Sequence, residues 1–157
     1  MIRRRVIARQ QGFSYVIAMF MVAILSILSL RALENSLTKK RRDQEAELLF
    51  VGQAYREAIR SYYENSPGTA KTYPDDLTSL LLDSRTTTTR RPLRRLYMDP
   101  ITKSQQWGLV QTADGKVMGV YSLSLQQPIK IGGFPVALTA FKDAKHYRDW
   151  QFVYQPG

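Results

Sequence analysis

Residues 9–30, RQQGFSYVIAMFMVAILSILSL, govern how the rest of this chain is read. A basic leader with Arg3, Arg4, Arg5 and Arg9 runs into Gly12-Phe13, and no charged residue follows until Arg31. Phe13 to Leu30 is 18 residues, roughly 27 Å as a helix, which matches the hydrocarbon thickness of a bilayer. A helix satisfies its own backbone hydrogen bonds in lipid, as irregular chain does not. A secretory signal would have a shorter apolar region with a small-residue cleavage site on its far side. Ser26, Ser29 and Ala32 are scattered, without an Ala-x-Ala arrangement; the candidate processing point lies instead before the apolar segment.

Ala18, Ala23, Ser26 and Ser29 are small enough for neighbouring helices to approach closely. Positive charge does not orient the span, because Arg31, Lys39, Lys40, Arg41 and Arg42 follow it on the other side. On hydropathy alone, a plain membrane anchor is as good a reading as a helix that bundles with others.

The helical pattern continues past the apolar stretch. Leu48, Val51, Tyr55, Ala58, Ile59 and Tyr62 recur at spacings of three and four, which marks one apolar face. Between Arg31 and Glu47 there is neither Pro nor Gly, and Glu34, Asp43, Glu45 and Glu47 interleave with the basic cluster. These features predict one helix from about Phe13 to about Tyr63, stopped by Asn65-Ser66-Pro67-Gly68.

The region from Asp43 to Gly157 is long enough for one small domain with one core. Tyr73-Pro74-Asp75-Asp76 followed by Leu77, Leu80 and Leu81 predicts a short helix with acids at its start. Thr86 to Thr89 and Arg90-Arg91-Pro92 read as an exposed loop, and Tyr97-Met98-Asp99-Pro100 as a turn. Trp107 to Val110 and Val117 to Tyr121 flank Ala113-Asp114-Gly115-Lys116, a good hairpin turn. A last strand is expected at Trp150 to Tyr154, and a short helix at Ala137 to Ala144. The sum is an α+β arrangement, a long N-terminal helix packed on a small antiparallel sheet.

Catalytic chemistry is poorly represented. The chain has no Cys, so disulfides and thiolate metal sites are excluded, and its one His, His146, lies between Lys145 and Tyr147. Asp75 and Asp76 are adjacent and diverge on a helix, which suits helix-start acids better than a catalytic pair. No phosphate loop, nucleophile elbow or His-Glu zinc motif is present. Neither an enzyme nor a cofactor or metal is expected.

The layout of residues 9–30 resembles the class III signal of type IV pilins and type II secretion pseudopilins. The resemblance is specific there and looser at Tyr73-Pro74 and at residues 97–121, which are similar to general secretion pathway protein G-like pseudopilins. It implies cleavage after Gly12 by a prepilin peptidase, methylation of Phe13, and retention of the apolar segment. Residues 1–12 would then be a cleaved leader, 13–42 the membrane-spanning and linking half of a spine helix, and 43–157 a periplasmic pilin-like domain. The implied setting is the bacterial inner membrane, crossed once with the N-terminus cytoplasmic. The implied partners are the peptidase, other pseudopilins, membrane lipid and an inner-membrane assembly platform.

Two departures from that family stand out. The fifth residue counted from Phe13 is Ile17, where most members carry a Glu thought to pair with a neighbouring subunit's N-terminus. Either this subunit caps or initiates a filament, or its filament assembles without that pair. The acid-rich C-terminal loop that binds calcium in the major pseudopilin is also missing. From Met118 to Gly157 the only acids are Asp143 and Asp149, so something else must order this region.

The formal net charge is +10, from 23 Lys and Arg against 13 Asp and Glu; losing the four leader arginines leaves 19 basic side chains and +6. The remainder clusters at Lys39 to Arg42 and at Arg85, Arg90, Arg91, Arg94 and Arg95. An alternative reading is therefore a minor pilin that holds DNA or an acidic partner through the Arg85–Arg95 loop, with Arg90, Arg91, Arg94 and Arg95 as contacts. DNA-uptake pseudopili are relatives in the same family.

Overall fold

The computed structural model describes residues 11–85 and 88–156, with backbone alone at 11–13, 30, 32 and 33. The leader arginines, and Thr86 and Thr87 of the expected loop, lie outside the described residues. One helix, α1, runs from Gln11 to Glu64, 54 residues, in agreement with the predicted spine. The chain divides between Lys40 and Arg41 into two compact units.

In the first unit, the described side chains of residues 14–29 are all exposed. This part of α1 is long and apolar enough to cross a membrane. Ser26 Oγ donates to the Val22 carbonyl and Ser29 Oγ to the Leu25 carbonyl, each at 2.8 Å. Both hydroxyls are thereby satisfied within the helix, which removes most of their cost in lipid.

In the second unit, the C-terminal part of α1 buries the predicted face completely: Leu48, Val51, Tyr55, Ala58, Ile59 and Tyr62 all lie in the core. Against it stands a three-stranded antiparallel sheet of order β1-β2-β3. The strands are β1 (Gly108–Gln111), β2 (Val117–Tyr121) and β3 (Phe152–Val153). β1 and β2 form the expected hairpin, with Gly108 opposite Tyr121 and a register shift between Val110 and Gln111. Gly115 takes a φ of 76° in the turn, a conformation that Gly adopts without strain.

Helix and sheet meet closely at one place. A Cβ on Gly52 would lie 2.3 Å from the Phe152 ring, so only Gly fits there. One turn further on, Arg56 Nε donates to the β3 carbonyl of Val153 at 2.8 Å. Phe134, Phe141, Tyr147, Trp150 and Phe152 complete the core as an aromatic cluster, in which Phe141 and Trp150 stack at 5.5 Å. Each such pair adds about 0.5–1.5 kcal/mol beyond its burial.

Three expected elements are shorter or tighter than predicted. The helix expected after Pro74 is a single 3-10 turn, Thr78–Leu80. Pro74 is fully buried and its carbonyl accepts from Val117 N at 2.9 Å, which holds the preceding chain against β2 instead of letting it coil. The helix expected at Ala137–Ala144 is a 3-10 segment, Val136–Asp143, kinked at Leu138. The expected strand from Trp150 contracts to β3, because Trp150 N closes a second 3-10 turn, Tyr147–Asp149, on the Tyr147 carbonyl.

Candidate functional site

Two places hold the residues singled out by sequence, and the structure adds a third. Gly12, Phe13 and Ile17 fall on the first two turns of α1, and Ile17 is exposed. The Phe13 side chain lies outside the described part.

The arginine loop is built differently from a free basic arm. A backbone bridge between Asp83 and Arg90, with N to O distances of 2.8 and 3.0 Å, pinches its base. Arg85 folds back into the protein. It donates from Nε to Asp83 Oδ1 at 2.8 Å and from Nη2 to Asp83 Oδ2 at 2.9 Å, a bidentate pair. Its other hydrogen bonds reach Ser66 Oγ at 3.1 Å, Thr72 Oγ1 at 3.2 Å and the Tyr62 carbonyl at 2.8 Å. The guanidinium also lies 3.4 Å from the centre of the Tyr62 ring. Arg85 therefore caps the C-terminal end of α1, where carbonyls lack partners and a cation is favoured. Its hydrogen bonds to Asp83 hold that carboxyl below its ordinary range.

The remaining basic side chains divide further. Arg90 Nη1 donates to Asn65 Oδ1 at 2.7 Å, and Arg95 lies 5.1 Å from the Tyr97 ring centre. Arg91, Arg94 and Arg95 are exposed. Of the arginines assigned to the loop, Arg85 is thus structural, Arg90 is tied to the end of α1, and three face solvent.

Sequence reasoning missed the third place. Glu45, taken as one of the acids that interleave with surface bases, is only 3% exposed. Its Oε1 accepts from the backbone N–H of Ile129, from Lys130 N at 3.2 Å and from the Tyr147 hydroxyl at 2.9 Å. Arg41 Nη2 adds a bond to the Gln127 carbonyl at 3.0 Å. A carboxylate on α1 thereby orders the C-terminal segment for which the sequence showed no ligand set. The available signal was register: Glu45 falls three residues before Leu48, on the stripe that becomes the core. Burial first, and Glu45 second, push the Tyr147 phenol up to about 12.

The turn at Tyr97–Pro100 is anchored in the same manner. Asp99, fully buried, accepts from Ile101 N at 2.9 Å, Thr102 Oγ1 at 2.8 Å and Ser122 Oγ at 2.7 Å. Among the described residues, no group of three or more His, Asp or Glu side chains is placed to hold a metal ion. No family model, curated protein or solved structure matches this chain.

Proposed function

We propose that this chain is a pseudopilin-like structural subunit of a type II secretion or related pilus-like filament. A prepilin peptidase cuts it between Gly12 and Phe13 and methylates Phe13. One observation carries the reading: the leader, Gly-Phe step and 18 uncharged residues lead into the same helix whose later turns build the core of the α+β unit. A simple anchor does not require its spanning helix to serve also as the central helix of the domain.

In this reading residues 13–42 cross the inner membrane and bundle with other subunits through small residues such as Ala18 and Ala23. The domain then stands in the periplasm, and an inner-membrane platform adds subunits from below. Ile17 suits a filament end, or a filament assembled without the usual Glu pair. Gly12→Val is expected to leave the leader attached and abolish incorporation into filaments. Normal incorporation of that variant would contradict the proposal.

A second reading, a minor pilin that holds a polyanion, draws on the exposure of Arg91, Arg94 and Arg95. It no longer includes Arg85. A salt-sensitive gel shift with DNA that vanishes when Arg90, Arg91, Arg94 and Arg95 become Ala supports it; absence of any shift ends it.

A further inference from the structure

A groove of about 430 Å³ runs between α1 and segment 129–132. Leu49, Ile129 and Ile131 give it an apolar lining, and Arg42 and Lys130 line it too, the Lys130 ammonium lying 5.2 Å from the centre of the Phe134 ring. Glu45 also lines it, but its carboxylate is already engaged by the Ile129 and Lys130 amides and the Tyr147 hydroxyl. Ile131 is left 74% exposed. The groove thus offers an apolar surface flanked by positive charge.

Elsewhere on α1, Asp43, Glu47 and Phe50 recur at spacings of four and three and form a single exposed stripe. Phe50 is 68% exposed, unusual for a residue type that normally lies inside. At 3.6 residues per turn this stripe is displaced by roughly 100° from the groove-lining positions 42 and 49. The stripe carries two acids and an aromatic ring; the groove carries two bases and an apolar lining. They are complementary in both charge and hydropathy.

We infer that the groove receives the Asp43–Glu47–Phe50 stripe of a second copy of this chain. Phe50 enters the apolar lining while Asp43 and Glu47 meet Arg42 and Lys130. Because stripe and groove are different faces of one subunit, the contact is heterologous. It leaves each bound copy with a free groove or a free stripe and so propagates head to tail. As a contact inside a filament it rests on the reading proposed above, and it names the surfaces by which the domains would join.

The absence of cysteine from the sequence lets engineered thiols report this contact without background. Glu47→Cys and Gly132→Cys leave Phe50 in place, and a Cβ at Gly132 meets nothing within 4 Å. In the full-length chain, co-expressed with a prepilin peptidase and oxidised in membranes, the two cysteines together are expected to give a ladder of covalent multimers. Either cysteine alone is expected to leave the chain monomeric. Phe50→Ala in the double-cysteine chain is expected to reduce the ladder about tenfold or more, as for a buried aromatic anchor. Asp43→Lys is expected to reduce it roughly three- to fivefold, and adding Arg42→Glu to restore it.

No species beyond a dimer from the double-cysteine chain, or a dimer from either single cysteine, overturns the contact. A ladder indifferent to Phe50→Ala overturns it as well. The intact mass of the same sample reads the leader separately. A mature, methylated chain without a ladder loses the contact alone, whereas an uncut chain loses the filament reading whatever the ladder shows.

Discussion

Glu45 lies one turn before Leu48, on the face that α1 turns to the core, and its Oε1 accepts from two amides and a phenol. Truncation would strand these donors, each costing about 1–3 kcal/mol when left buried without a partner. Glu45→Ala is therefore expected to lower stability by about 3 kcal/mol and to speed amide exchange at Ile129 and Lys130. Hydrogen-exchange mass spectrometry on the full chain reads this, and unchanged exchange at those amides contradicts the clamp. Tyr147 gives the same contact a pH signature. Its phenol is raised to about 12, above the ordinary value of about 10. The neutral form thus stabilises the fold fully below about pH 10, and the contribution is lost as pH climbs toward 12. Tyr147→Phe is expected to remove a late-ionising phenol from an ultraviolet titration and to make the alkaline unfolding limb shallower. Asp83 acts at the other end of the scale. Its pKa is depressed by the hydrogen bonds from Arg85, so its contribution is present above about pH 4 and lost as pH falls through its lower folded value. Asp83→Asn is expected to flatten the acid limb of Tm against pH; an unchanged limb contradicts the assignment of Arg85 as a cap held by Asp83.

Among the elements, α1 and β3 approach closely at Gly52. An added methyl would gain about 1 kcal/mol of helix propensity but would collide with the Phe152 ring at 2.3 Å. Overpacking of this kind costs about 1–3 kcal/mol. Gly52→Ala is expected to lower Tm, and Phe152→Leu in the same chain to recover part of the loss; a Tm raised by Gly52→Ala alone contradicts this packing. The same elements show which parts of the fold are readable in advance. The ridge from Leu48 to Tyr62 and the hairpin about Asp114-Gly115 are legible because their determinants lie within a few turns or a few residues of one another. The helix expected after Pro74 fails for the opposite reason: the hydrogen bond that holds Pro74 comes from Val117, a distant part of the chain. Glu45 and the Ile129 amide that donates to it are 84 residues apart, and Arg85 reaches Tyr62 across 23. No local pattern announces either pairing: along the sequence Glu45 is one acid among a cluster of bases, and Arg85 one of a cluster of arginines. Gly12, Phe13 and Ile17 stand apart from both groups, because a cleavage signal is an order of residue types rather than a cavity or a contact.

At the scale of the whole molecule, one helix carries two kinds of surface. Its first described turns expose only uncharged side chains, and its later turns form the centre of a domain tied together by Glu45, Arg85 and Asp99. One helix thus supplies both a segment long and apolar enough to cross a membrane and the face on which the domain's core is built. The function proposed above turns on removal of the leader. The most direct measurement is the intact mass of the membrane-extracted protein, made with and without a co-expressed prepilin peptidase. Loss of residues 1–12 together with the gain of one methyl group on Phe13, only when the peptidase is present, is the expected result. A full-length, unmodified chain in the presence of active peptidase would contradict the assignment and leave an ordinary membrane-anchored domain.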